Sequence, residues 1–160
     1  MTRLEELVTC DRIVCGLEAN NKSGLLHEVA HIAAERTGIA AARIEDALLE
    51  RERLGTTGLG GGIAIPHARI PELPELTGFF VRLNRPIDFD AVDAEPVDLI
   101  FVLLAPEEAR VDHLKALARI ARILRDGQLC NTLRCSEDRE AVHGLLTKKA
   151  DPISSTQPRG

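Results

Sequence analysis

Gly55-Thr56-Thr57-Gly58-Leu59-Gly60-Gly61-Gly62-Ile63-Ala64-Ile65-Pro66-His67-Ala68 separates a helical first third from a strand-rich middle, and how it is read decides the fold class. Five of the twelve glycines of the chain fall within positions 55–62. Such crowding lets the backbone turn sharply or approach a bound group closely. The run leads into Ile63 to Pro66, a short apolar segment that reads as a strand, with His67 at its end. A dinucleotide fingerprint needs the opposite order, from strand through glycines to helix, so it does not fit. The Gly-Lys-Ser/Thr ending of a phosphate-binding loop is absent as well. A histidine at a strand end beside a glycine-rich loop is a site candidate. The same residues would equally serve a tight turn followed by a surface histidine.

Outward from this stretch the pattern alternates between helix and strand, as in an α/β domain. Upstream, Lys22 to Thr37 carries Leu25, Leu26, Val29, Ile32 and Ala33 on one helical face. Asn21 or Ser23 is its cap and Gly38 its stop. A second helix is expected from about Ala41 to Arg53, burying Ile44, Ala47 and Leu48 and ending at Gly55. Downstream, Thr77 to Leu83 alternates as a strand. Val97 to Leu104 is apolar throughout except for Asp98, which predicts the most buried strand of the chain. The two prolines of Ile70 to Glu75 mark the loop between strands. Glu107 to Leu124 predicts the longest helical face, with Val111, Leu114, Leu117, Ile120, Ala121 and Leu124 turned to the core. Asp126-Gly127 breaks it. Shorter helices are expected over Leu129 to Arg134 and over Glu137 to Thr147, the latter capped by Ser136, and then a disordered tail over 149–160.

Composition narrows the function. A length of 160 residues with 44% hydrophobic content suits one domain with its own core. Aromatics are limited to four Phe, and the net charge is -5. Nucleic-acid surfaces are typically basic and use aromatic stacking, so a small molecule or a protein partner fits better. No stretch approaches the roughly 18 apolar residues that a membrane span requires. The acidic start, Met-Thr-Arg-Leu-Glu-Glu, does not resemble a secretory leader, and a cytoplasmic location is expected. Cys10 and Cys15, and likewise Cys130 and Cys135, are spaced with four residues between. Without an adjoining histidine cluster they read as reduced structural thiols, with metal ligation the lesser alternative.

One short motif points elsewhere. His27-Glu28-Val29-Ala30-His31 matches H-E-x-x-H, which places two imidazoles on one helix face with a glutamate base between them, as in zinc peptidases. The extended form needs a further glycine and histidine, and Ile-Ala-Ala-Glu-Arg-Thr follows instead. His27, His31 and Glu35 also form a polar stripe opposite the apolar face, which is what a solvated helix shows.

The motifs taken in order carry more weight than any one alone. Arg51-Glu52, the turn Thr57-Gly58-Leu59-Gly60, Gly62-Ile63-Ala64-Ile65-Pro66-His67, Pro86-Ile87-Asp88-Phe89-Asp90, Pro96-Val97-Asp98-Leu99-Ile100-Phe101 and His113-Leu114-Lys115-Ala116-Leu117 span much of the chain. Together they resemble the IIA domains of the bacterial phosphotransferase system, fructose/mannitol group, over about residues 5 to 148. Within that group the chain is most like the free-standing nitrogen-regulatory branch. Gly61 departs from that branch, which often has Asn there, and Ala68 stands where Gly is common.

The resemblance implies a single-domain α/β sandwich over residues 1–148, a mixed β-sheet flanked by helices on both faces. It implies His67 as phosphoacceptor, Arg51 as the active-site arginine and His113 as a second histidine at the phosphoryl group, with no cofactor and no metal. Neutral imidazole is a competent nucleophile near pH 7, and a guanidinium suits phosphate oxygens. Read residue by residue, Arg51 also suits a solvated helix end, and His113 suits a polar helix face. The implied donor is an HPr-like phosphocarrier. The implied role is phosphorylation-dependent regulation of target proteins, potassium-transport regulators among them, by a carrier and not a stand-alone metabolic enzyme. The alternative within the family is a component relaying phosphate to a fructose- or mannitol-type permease.

Overall fold

The computed structural model describes residues 4–150. Six strands form one mixed sheet in the order β1-β5-β6-β3-β2, and β4 also pairs with β6. The strands are β1 (Ile13–Leu17), β2 (Gly58–Gly60), β3 (Ile63–Ala64), β4 (His67–Arg69), β5 (Thr77–Ile87) and β6 (Val97–Ala105). The helices are α1 (Leu4–Leu7), α2 (Lys22–Thr37), α3 (Ala41–Arg53), α4 (Arg110–Ile123), α5 (Gly127–Cys135) and α6 (Arg139–Ala150).

Strand β6 organises the molecule because both of its faces are apolar. Ile100, Val102 and Leu104 join the core beneath α2 and α3, where Leu25, Leu26, Ile44 and Leu48 are fully or almost fully buried. Leu99, Phe101, Leu103 and Ala105 point the other way, into a second core built with α1, α4, α5 and α6. Side chains alternate across a strand, so an unbroken apolar run requires cover on both sides. The same alternation divides Phe79 and Phe80 of β5 between the two cores. The expected sandwich is the observed one. Asp98, the polar exception in β6, is held by Arg134 of α5 at 2.9 and 3.0 Å.

The expected caps are partly borne out. Asn21 caps α2, accepting from the Gly24 N–H at 2.8 Å, while the Ser23 hydroxyl donates to the Asn21 side chain. Gly38 closes α2 in the left-handed region at φ 79°. Ser136 does not cap α6. Its hydroxyl donates to the Thr132 carbonyl at the end of α5, and Asp138 accepts from the Glu140 N–H at the start of α6. Lys149 and Ala150, the first positions of the expected tail, belong to α6. The rest of that tail lies outside the described residues.

Three further differences have local causes. The strand read over Ile63 to Pro66 is two strands. Pro66 has no N–H to give to a ladder, and β3 and β4 lie in parallel along successive parts of β6, pairing with Leu99–Ile100 and Leu103–Ala105. His67 therefore opens β4 instead of ending a strand. β1 and β2 have no counterpart in the sequence reading. Gly-Leu-Gly has poor strand propensity, and its pairing with β3 makes it one.

The third difference concerns α4. Val111 and Leu114, expected in the core, are 63% and 67% exposed, whereas His113 is 6% exposed. The inward stripe starts at His113 and continues through Leu117, Ile120 and Leu124, at intervals of four, three and four. The helical period was legible, but its first inward position holds a histidine, which an apolar count passes over.

Candidate functional site

Arg51, His67 and His113 come from three different elements and meet in one open hollow of about 540 Å³, with Leu54, Arg69 and Leu114 on its walls. Arg51 lies in the last turn of α3. His67 starts β4 just after the Pro66 break, and its backbone is fixed by the Leu103 N–H bonding to the Pro66 carbonyl at 3.0 Å. His113 enters from the first turn of α4.

The hydrogen bonds of His67 assign its proton. Nδ1 is 2.8 Å from the Ile65 carbonyl oxygen. A carbonyl only accepts, so Nδ1 carries the hydrogen. Nε2 then keeps a lone pair, and it accepts the Nε–H of Arg51 at 3.1 Å. Nε2 is the nucleophilic nitrogen of this imidazole, a point that spacing in the sequence could not decide. Arg51 also donates from Nη1 to the Gly55 carbonyl at 2.9 Å.

The electrostatics keep both rings neutral. Burial is the main cause that lowers the His67 pKa from its ordinary value, with the Arg51 charge acting in the same direction; the Ile65 hydrogen bond and Glu52 oppose them. For His113, burial first, then His67 and Arg69, push the pKa down to about 4. The two rings meet edge to face, with centroids 5.5 Å apart. His113 Nε2 is buried and has no hydrogen-bond partner among the described residues. A buried polar atom without a partner costs about 1–3 kcal/mol, and at a ligand site it marks a place where a ligand atom fits.

None of the glycines at 55–62 lines this hollow; Gly61 and Gly62 line a separate one with Asp98 and Arg134. Gly60, Gly61 and Gly62 take φ values of 103°, 69° and 82° in the turn between β2 and β3. A Cβ on Gly62 would come within 2.5 Å of Arg134. The hairpin these glycines make brings Gly62 onto Arg134 and Asp98 and Gly60 onto Asp93. The loop meets the site through the Gly55 carbonyl, which anchors Arg51, and through the Thr57 carbonyl, which accepts the Ile65 N–H.

The H-E-x-x-H histidines lie elsewhere. His27 and His31 sit on the exposed face of α2, their ring centroids 4.5 Å apart, and His27 Nδ1 is 3.0 Å from Glu45 of α3. Among the described residues no group of three or more His, Cys, Asp or Glu is placed to hold a metal ion. The pair belongs to a solvated helix surface. The cysteines make no disulfide; all four are free thiols, and Cys130 is buried.

Two residues escaped the sequence reading. Glu52 and Thr57 are hydrogen-bonded to each other at 2.7 and 2.8 Å beneath the loop. The dipeptide Arg51-Glu52 drew notice for its arginine; no local signal shows that the glutamate faces inward.

The site is thus a half-buried histidine on a sandwich edge, its Nε2 directed at an arginine, with a second histidine ring against it. Residues 6–149 match the family described as phosphoenolpyruvate-dependent sugar phosphotransferase system, EIIA 2, and the chain belongs to that family. It is similar to the nitrogen regulatory protein of Bradyrhizobium diazoefficiens, 50% identical over 143 residues that span 89% of this chain and 94% of that one. The crystal structure of nitrogen regulatory protein IIA-Ntr from Neisseria meningitidis has the same fold, with a TM-score of 0.86 at 35% identity over 90% of this chain and 99% of that one. The fructose-specific EIIA component of Haloferax volcanii is 40% identical over 103 residues, 64% of this chain and 67% of its own length. Among the described residues no helix is long and apolar enough to cross a membrane.

Proposed function

We propose that this protein is a phosphoryl carrier of the regulatory kind, taking a phosphoryl group on His67 Nε2 from an HPr-like phosphohistidine carrier. The observation that carries this reading is the fixed tautomer of His67, with Nδ1–H on the Ile65 carbonyl and Nε2 facing Arg51. In the transfer, the Nε2 lone pair forms the new N–P bond as the donor's N–P bond breaks. The donor ring, protonated on its other nitrogen, keeps the electron pair of the broken bond and leaves as neutral imidazole, while His67 retains its Nδ1 proton and its ring takes the positive charge.

Arg51 must exchange partners during this step. Its Nε–H, now on the lone pair that attacks, turns to a phosphoryl oxygen, where a guanidinium stabilises the spread charge. His113, neutral near pH 7, has one N–H; placed on the unpartnered Nε2, it donates to another phosphoryl oxygen. Positioning and charge stabilisation of this kind account for most of the catalysis in phosphoryl transfer.

The regulatory role draws on the similarity to nitrogen regulatory proteins. A phosphoryl group adds roughly -1.5 to -2 charges to the hollow, enough to switch a protein surface between partners. Regulators of nitrogen and potassium metabolism are the partner class this reading names, with action in the cytoplasm. The fructose-specific relative supports a second reading, in which the protein passes its phosphoryl group to a sugar permease.

The test is labelling by a phosphorylated HPr-type carrier, generated from phosphoenolpyruvate, with wild type and His67→Ala side by side. The wild type takes label and the variant does not; equal labelling of the two sinks the reading. Relative rates from nitrogen-type and sugar-type carriers then separate the regulatory reading from the permease relay.

A further inference from the structure

We propose that Glu52 is a positioning residue for His67, acting through Thr57 and Ile65 to hold the imidazole as its Nδ1–H tautomer. The proposal rests on the reading of His67 as the phosphoryl acceptor, but its central readout does not need phosphotransfer.

The Glu52 side chain is 6% exposed. A carboxylate taken that far from water is retained only where charge and hydrogen bonds replace the water. Oε2 accepts the Thr57 backbone N–H at 2.8 Å and pairs with Lys22 Nζ at 3.0 Å, and Oε1 accepts the Thr57 hydroxyl at 2.7 Å. Lys22, the first residue of α2, is itself held by Asp90 at 3.3 Å and lies over the Phe89 ring. Thr57 is thus fixed by both its backbone and its side chain.

The fixing continues to the reactive ring. The Thr57 carbonyl accepts the Ile65 N–H at 3.0 Å, and the Ile65 carbonyl accepts the Nδ1–H of His67 at 2.8 Å. A neutral imidazole exchanges its proton between two nitrogens, and a rigid acceptor on one side selects one form. Arg51 and Glu52, neighbours in the last turn of α3, grip the loop at Gly55 and at Thr57. One helix end therefore sets both the group that faces Nε2 and the backbone that holds Nδ1–H. The Glu52 charge also acts to raise the His67 pKa against the effect of burial. A side chain that only stabilised the loop would leave tautomer and titration unchanged.

The experiment uses the unphosphorylated full chain with 15N-labelled histidine, comparing wild type, Glu52→Ala, Thr57→Val and Thr57→Ser. Ring 15N shifts are followed across pH, and phosphotransfer from a phosphorylated HPr-type carrier is measured in parallel. The wild type shows one His67 tautomer, protonated on Nδ1. Glu52→Ala and Thr57→Val populate the Nε2–H form and reduce kcat roughly tenfold with the carrier KM unchanged, and Glu52→Ala, which removes the charge, also lowers the His67 pKa. Thr57→Ser, which keeps the hydroxyl, restores the wild-type tautomer. Thr57→Val keeps the test open should Glu52→Ala fail to fold. A folded variant of either kind with the wild-type tautomer, pKa and kcat overturns the proposal. Failure of the wild type to take label would overturn the acceptor reading instead, and leave the tautomer result to be judged separately.

Discussion

Arg51 Nε and His67 Nε2 stand 3.1 Å apart although the residues are 16 positions apart in sequence, one at a helix end and the other opening a strand. The arginine donates to the lone pair that would attack phosphorus, so the resting site is held closed by the group that would stabilise the product. Opening costs one hydrogen bond, and that bond re-forms on phosphate.

Replacing Arg51 with alanine removes this donor and a nearby positive charge. Phosphotransfer to His67 falls by roughly 10²-fold or more, the range seen when a charge-stabilising donor is lost. The His67 pKa rises, because the Arg51 charge acts to lower it. Quenched-flow labelling and an NMR titration check the two effects; wild-type kinetics would remove Arg51 from the site.

His113 makes stability depend on pH. Its pKa is about 4 in the folded protein and about 6.5 in an unfolded chain. Between those values the unfolded state binds more protons, so stability rises with pH and is lost as pH falls from about 6.5 toward 4. The full effect is on the order of 3 kcal/mol, at about 1.4 kcal/mol per pKa unit. His113→Gln flattens this part of the curve. Urea unfolding at a series of pH values between 7.5 and 4.5 is the measurement, and parallel curves for variant and wild type would contradict the assignment.

The Arg69 side chain makes no hydrogen bond or ion pair among the described residues, yet its charge helps to lower the His113 pKa. Arg69→Ala therefore moves that pKa up from about 4. An NMR titration of His113 in the variant decides the point, and an unmoved midpoint refutes it.

The assignment of the α4 faces predicts opposite outcomes for two apolar residues of one helix. Ile120 is 2% exposed, and Ile120→Ala costs about 2–5 kcal/mol. Leu114 is 67% exposed on the wall of the hollow, and Leu114→Ser changes stability by less than about 0.5 kcal/mol. The serine variant instead raises the KM for the phosphorylated carrier without lowering kcat, as expected where apolar surface serves docking. Chemical denaturation and steady-state transfer separate the two; a large stability loss in Leu114→Ser would restore the helix face expected from spacing.

Much of the sandwich was legible in the chain because its signals are local. The near-continuous apolar run of β6 marked the most buried strand, Asn21 and Gly38 delimited α2 as expected, and the helices on both faces came with the family resemblance. The site was legible in part. Resemblance carried Arg51, His67 and His113, and the structure gathers all three in one hollow. Glu52 and Thr57 went unread because an inward carboxylate and an outward one look the same on a helix of this composition. The inward face of α4 was misjudged because its stripe begins with a histidine.

The glycine run ending at His67 shows where the division lies. By itself the sequence determined a sharp turn and an apolar strand after it, both consequences of local backbone sterics and side-chain pattern. Tertiary structure alone decided what the turn is for. Gly62 packs on Arg134 and Asp98, Gly55 anchors Arg51, and Ile65 presents its carbonyl to His67. The first of these joins residues far apart in the chain, and the other two, four and two positions apart, are local bonds whose geometry the fold sets. Packing against a common sheet sets them, and no local pattern of residue types encodes which nitrogen of His67 is left free.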